Sequence, residues 1–60
     1  MKLWVEPMDV FVVGVTPDGH IEVEGEAPAR PTLQERRAVL FAAQQELDAL
    51  KELIEILESS

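Results

Sequence analysis

The chain has 60 residues, no cysteine and a formal net charge of −7. This length allows one small domain over residues 1–60, and the lack of cysteine excludes disulfides and zinc–thiolate sites as supplements to its core. Hydrophobic residues make up 47% of the chain, which argues against disorder. A monomer of this size buries only about 60% of the surface of its unfolded chain, so oligomerisation is the expected further source of stability.

Acidic charge is spread over the whole chain, with −4 on residues 1–31 and −3 on residues 32–60. This distribution argues against a nucleic-acid partner, because phosphate recognition needs a basic patch or stripe. It suits another protein with a basic surface, and it also suits simple solubility. Neither a signal peptide nor a long apolar segment is evident, so we expect a cytoplasmic protein without a membrane partner.

The N-terminal segment, residues 1–6, alternates in polarity as an extended strand does. Pro7 lacks a backbone donor, which restricts this segment to an edge strand or an N-terminal arm. Trp4 is the only tryptophan in the chain. It has two interpretations: a side chain that covers the helix, or an anchor for a partner protein.

A β-hairpin is predicted over residues 8–26. The β-branched, apolar strand ends at Thr16–Gly19, where Pro, Asp and Gly favour a type I turn closed by a glycine in the left-handed region. This turn places Val15 opposite Ile21 and Val13 opposite Val23. The helix-facing side is then expected to carry Phe11, Val13, Val15, Ile21 and Val23. The outer side is expected to carry Val10, Val12, Gly14, His20, Glu22, Glu24 and Glu26.

After a linker over residues 27–31, one long amphipathic helix is predicted over residues 32–58. Thr32 and Glu35 have the spacing of a capping box, and no Gly or Pro interrupts the run that follows. Its apolar residues repeat in two heptad series. The first series is Leu33, Leu40, Leu47 and Ile54; the second is Ala43, Leu50 and Leu57.

This helix is too long for the hairpin to cover. It extends about 40 Å, against about 26 Å for strands of eight residues. Its last turns are nevertheless apolar, which favours a homodimer or a dimer of dimers assembled through helix packing. The expected oligomer interface comprises Leu40, Ala43, Leu47, Leu50, Leu53, Ile54 and Leu57.

The charges along the helix indicate how two copies would meet. Arg36 and Arg37 lie near its start and Glu55 and Glu58 near its end, against the preference of the helix macrodipole. An antiparallel partner would place each basic pair beside an acidic pair. Solvation of these side chains is the alternative interpretation, since surface ion pairs contribute only about 0–1 kcal/mol.

Catalytic chemistry has little support in the sequence. His20, Glu22 and Glu24 alternate along one strand and could face a divalent metal, but a solvated outer face explains the same pattern. The hydroxyls outside the turn are Thr32, Ser59 and Ser60, and no histidine accompanies them. We therefore expect no enzyme, no catalytic or metal site and no cofactor.

The sequence predicts an α+β fold of ββα order, a hairpin with an optional short third N-terminal strand and a long C-terminal helix. This order, with its acidic coiled-coil-like tail, resembles that of many small accessory proteins, viral ones and antitoxins among them. The first functional hypothesis is a non-enzymatic homo-oligomer that binds and modulates another protein, as inhibitor or adaptor. The alternatives are an antitoxin-like transcription regulator and a ligand-binding module with an intersubunit pocket. Candidate partner-binding residues are Trp4, Phe41, Glu22 and Glu24.

Overall fold

The computed structural model describes residues 1–60 and contains a three-stranded sheet followed by one long helix. The sheet is an antiparallel meander in which β2 lies between β1 and β3. The elements are β1 (Leu3–Val5), β2 (Val10–Val15), β3 (Ile21–Val23) and α1 (Leu33–Glu58). The α+β class and ββα order are confirmed, and the N-terminal segment is an edge strand paired with β2.

A short 3-10 turn, Glu6–Met8, connects β1 to β2. Asp9 closes it with φ of 55°, in the left-handed region that Asp tolerates better than most residues, and its N–H donates to Glu6 O at 3.0 Å. Pro7 fits at the start of this turn, where no backbone donor is needed. The strand predicted from residue 8 therefore begins at Val10, and Met8 packs against the core instead.

The turn between β2 and β3 confirms the sequence prediction. Gly19 N–H donates to Thr16 O at 3.0 Å, and Gly19 has φ of 89°. Thr16 N–H donates to His20 O at 2.9 Å, which closes the hairpin and leaves Val15 opposite Ile21. The Thr16–Gly19 segment is thus a tight turn whose last residue needs the conformational freedom of glycine.

Beyond this turn the predicted register is wrong. The partner of Val23 is Val12 rather than Val13, because the pairing shifts at a β-bulge between Val12 and Gly14. A bulge inserts one unpaired residue and so exchanges the faces of the residues before it. Val12 consequently faces the helix, whereas Phe11 faces outward and packs against Trp4.

The core lies between β1, β2 and the first turns of the helix. Its buried residues are Leu3, Val5, Val12 and Ile21. The helix contributes the small side chains of Ala38, Val39 and Ala42, which pack against the cluster that Leu3, Val5 and Val12 form. The helix contacts chiefly β1 and the 3-10 turn, so the sheet covers only its N-terminal part.

The helix begins as predicted. The Thr32 hydroxyl accepts from Glu35 N–H at 3.1 Å, and the Glu35 carboxylate accepts from Thr32 N–H at 2.8 Å. From residue 43 onward every residue of the chain is exposed. The molecule measures 42 × 21 × 18 Å, with a radius of gyration of 13.5 Å against about 10 Å for a compact chain of this length. The helix is not apolar enough to cross a membrane.

Candidate interaction surfaces

The heptad stripe of α1 contacts little of its own chain. Leu40, Leu47, Leu50 and Ile54 are each about half exposed. The helix meets the sheet through a different side, that of Ala38, Val39 and Ala42. The predicted interface residues therefore form a bare apolar strip beside the sheet, with no contact to show what covers it.

A groove lies where this stripe passes the hairpin turn. We call it the hairpin groove; its volume is about 500 Å³. Its apolar lining comes from Val15, Ile21, Leu33, Val39 and Leu40. Arg30 and Arg36 also line it, and both are exposed. Asp18 lies at its edge on the hairpin turn, so the groove combines an apolar floor with two positive charges and one negative charge.

Those two arginines have no acidic partner within their own chain. The ion pairs of the chain are Lys2–Glu24 and His20–Asp18, so neither Arg30 nor Arg36 has a carboxylate within 4.0 Å. A guanidinium is a planar fork of donors that suits carboxylates well. The hairpin groove can thus accept an apolar segment that carries acidic side chains.

A second groove lies on the other side of the helix, where β1 meets it. Trp4 and Phe41 both line this groove, together with Pro7, Ala38 and Ala42, and its volume is about 330 Å³. Trp4 is 44% exposed and Phe41 is 65% exposed. The structure therefore brings two of the four predicted partner-binding residues to one surface, which we call the tryptophan groove.

The outer face of the sheet holds the other two. The Glu24 carboxylate lies 3.4 Å from Lys2 Nζ, and that ammonium lies 4.6 Å from the centre of the Phe11 ring. Phe11 in turn packs edge-on against Trp4, with ring centres 4.9 Å apart. Glu22 lies beside Gly14, whose missing side chain leaves room for the Glu22 carboxylate. Lys2 thus links the aromatic pair to the Glu24 carboxylate, and Glu22 lies on the same face nearer the turn.

The predicted His20, Glu22 and Glu24 row does not act as one unit. His20 Nδ1 lies 3.1 Å from an Asp18 carboxylate oxygen, whereas Glu24 pairs with Lys2. No group of three His, Cys, Asp or Glu side chains is arranged to hold a metal ion. These side chains serve the turn and the outer face separately.

Asp18 is the titratable group that the fold perturbs. The Thr16 hydroxyl donates to its carboxylate, and this hydrogen bond, helped by the nearby charge of His20, lowers the pKa of Asp18. The same hydroxyl accepts from His20 N–H at 3.0 Å. Thr16 therefore links both sides of the turn, and the perturbation stabilises the hairpin rather than preparing a reactive group.

Sequence reasoning missed the hairpin groove and the contact of Lys2 with Phe11. The contact of Lys2 with Phe11 depends on the register of β2, which the bulge changes, whereas the groove depends on how the helix crosses the hairpin. The alternation of side chains along a regular strand places Phe11 on the helix-facing side, so it does not predict the contact between the Phe11 and Trp4 rings.

Comparison with known proteins adds no relative. No protein-family model, no curated protein and no solved structure matches the chain.

Proposed function

We propose that the protein is a small, acidic, non-enzymatic homo-oligomer that binds and modulates another protein, as inhibitor or adaptor. The observation that carries this proposal is the bare C-terminal part of α1. Six large apolar side chains between residues 47 and 57 remain about half exposed or more, apart from any contact with the sheet. Contiguous apolar surface of this kind marks sites of protein association.

The amount of exposed surface supports self-association. The solvent-accessible surface is 4909 Å², whereas a compact monomer of 6.7 kDa exposes about 3,900 Å². The excess of about 1,000 Å² is close to the roughly 800 Å² that each partner buries in a standard interface. A second copy packed on the helix would bury a surface area of this size.

The tryptophan groove and the outer sheet face supply a separate surface for the modulated protein. Lys2 illustrates within the chain how a cation can lie between an aromatic ring and a carboxylate. Trp4, Glu22 and Glu24 offer the same combination to a basic residue from outside. A partner with a basic surface and an apolar anchor would match this face.

The hydroxyl groups favour a non-enzymatic role. Ser59 and Ser60 donate to main-chain oxygens at the end of the helix, and Thr32 caps its start. His20 lies at the turn beside Asp18, away from these hydroxyls in the chain. The Thr16 hydroxyl does lie beside the Asp18 carboxylate, but its hydrogen bonds close the hairpin turn.

Self-association is tested by analytical ultracentrifugation of the wild type at micromolar concentration. We expect a dimer or tetramer whose melting temperature rises with concentration, because assembly favours the folded state. A stably folded monomer at all accessible concentrations would contradict this proposal.

Partner binding is tested separately by affinity capture from the native host. Trp4→Ala combined with Phe41→Ala should lose a protein that the wild type retains, whereas Gln34→Ala, on the exposed polar side of the helix, should keep it. The mass in solution and the melting temperature of all three proteins serve as controls for assembly and folding. A saturable shift of duplex DNA at low salt would favour the transcription-regulator alternative.

A further inference from the structure

The hairpin groove and the end of α1 have complementary chemistry. The groove offers apolar side chains with Arg30 and Arg36 beside them. The last turns of the helix offer Leu50, Leu53, Ile54 and Leu57, which are exposed. Glu52, Glu55 and Glu58 accompany them and outnumber the single Lys51. No basic residue lies in the last turn of the helix. We call residues 50–58 the acidic tail.

The acidic tail cannot reach the groove of its own chain. The two lie on one uninterrupted helix, and residue 57 is about 36 Å along its axis from residue 33. An occupant of the groove must therefore come from another molecule.

We propose that the hairpin groove binds the acidic tail of a second copy, reciprocally, in an antiparallel two-fold pair. This inference rests on the proposed self-association and specifies its geometry. Each chain contributes one groove and one tail, which is the closed, self-complementary arrangement of a two-fold dimer. Arg30 and Arg36 of each copy then lie near Glu55 and Glu58 of the other.

The charges select this direction. The first half of the helix, residues 33–45, carries +1, and the second half, residues 46–58, carries −4. An antiparallel pair sets each +1 against a −4, whereas a parallel pair sets −4 against −4. Basic side chains near the helix end also offset the partial negative charge of its free carbonyls.

The heptad positions allow the same direction without leaving a gap. Antiparallel packing pairs one heptad series with the other, so Leu33 lies opposite Leu57 of the second copy. In the same register Leu40 lies opposite Leu50, and Ala43 lies opposite Leu47. Every member of both series except Ile54 then meets an apolar residue, and Ile54 meets Arg36.

The arrangement also explains Ile56, which lies off the stripe. Eighteen residues make about five helical turns, so Ile56 and Leu57 lie on the same side as Ala38 and Val39, about 27 Å further along. Ala38 and Val39 contact their own sheet. The two-fold axis is perpendicular to the plane that contains the two helices, so both sheets lie on the same side of that plane. The sheet of the second copy then covers Ile56.

Disulfide trapping tests the direction, since the chain has no cysteine of its own. Leu33→Cys and Leu57→Cys are made as separate full-length variants, mixed, and oxidised, and each covalent dimer is identified by its mass. We expect a disulfide between the two variants and little between identical copies. Disulfides between two copies of the same variant would overturn the proposal in favour of a parallel pair.

The outcomes separate this proposal from self-association in general. A wild type that is dimeric while the mixed variants form no disulfide leaves the oligomer standing and overturns the groove as its binding site. A wild type that is monomeric overturns both.

A charge exchange provides an independent test that needs no cysteine. Arg36 lines the groove and its neighbour Arg37 does not. Arg36→Glu should weaken self-association by about tenfold, and Arg37→Glu, with the same change in net charge, by clearly less. Adding Glu55→Lys and Glu58→Lys to Arg36→Glu should restore the affinity. Equal effects of the two arginine variants, or a further loss on adding the lysines, would contradict the proposal.

Discussion

Both ends of this molecule are rich in apolar residues, but they differ in burial. At the sheet end, Val5 and Val12 are 0% exposed and small helix residues pack onto them. Along the second half of α1 every residue is exposed. The difference lies in reach, because strands of three to six residues cannot cover a helix of 26. Apolar composition thus predicts how much surface must be buried, and not which molecule buries it.

The sheet end alone offers a small core. Only four of the 60 residues are buried, and none of the four belongs to the helix. Single cores in chains below about 70 residues rarely supply more than 3–5 kcal/mol. The stability of the fold and the association of copies should therefore be coupled.

The largest expected effect comes from charging the bare end. Leu50→Glu, or Leu47→Glu, should abolish assembly and most folding together, because a buried, unpaired charge costs several kcal/mol. The measurement is ultracentrifugation combined with circular dichroism. On an isolated monomer both residues would stay in water, and the substitution would change neither quantity.

Truncation at the sheet end should have a smaller and different effect. Val12→Ala removes two methyl groups from the fully buried cluster and should cost about 2 kcal/mol of unfolding free energy. Chemical denaturation at fixed protein concentration measures this loss. Gln34→Ala, at an exposed position of the helix outside both grooves, is the control and should cost less.

Local signals in the sequence were sufficient for the helix and the turn. Thr32 and Glu35 marked the helix start, and Pro17, Asp18 and Gly19 marked the turn, because in both cases neighbouring residues form the hydrogen bonds. The bulge had no such signal. Its extra residue is a valine, which fits a regular strand equally well, so only the packing of the whole sheet decides where pairing shifts.

The candidate surfaces likewise divide into one that local sequence predicts and one that depends on tertiary packing. The exposed stripe of α1 could be predicted from helical periodicity, which depends on a single element. The hairpin groove required knowledge of how the helix crosses the sheet. The sequence alone does not distinguish Arg36 from Arg37. Arg36 lines the groove only because of the way the helix crosses the sheet.

A substitution at the turn should have a still smaller effect on stability. Gly19→Val forces a branched side chain into the left-handed region and should cost about 1 kcal/mol, although nothing lies near the added Cβ. The expected result is a lower melting temperature at fixed protein concentration. Gly19→Asn should lose less, because Asn tolerates this conformation. Equal melting temperatures for glycine and valine would exclude backbone strain at this position.

The smallest expected effect concerns acid stability. The lowered pKa of Asp18 means that its ionised form favours the folded state, so its contribution is present above the ordinary carboxyl pKa and is lost as pH falls through the folded value. Asp18→Asn should remove this dependence, and the melting temperatures of variant and wild type should converge in acid. A difference that persists unchanged at the lowest pH would assign the effect to the turn conformation alone.

The bulge in β2 has a consequence for how insertions and deletions would act on this chain. Val13 is the residue between the paired Val12 and Gly14, so a chain without it keeps all of its pairs between β2 and β3 and the faces of their side chains. Removal of Val12 gives the identical sequence, with Val13 in its place against β1 and Val23. Loss of Val10 or Phe11 with the bulge retained would instead exchange the side that each preceding residue presents. Length variation in this strand should therefore be tolerated at residues 12 and 13 more readily than at the positions before them.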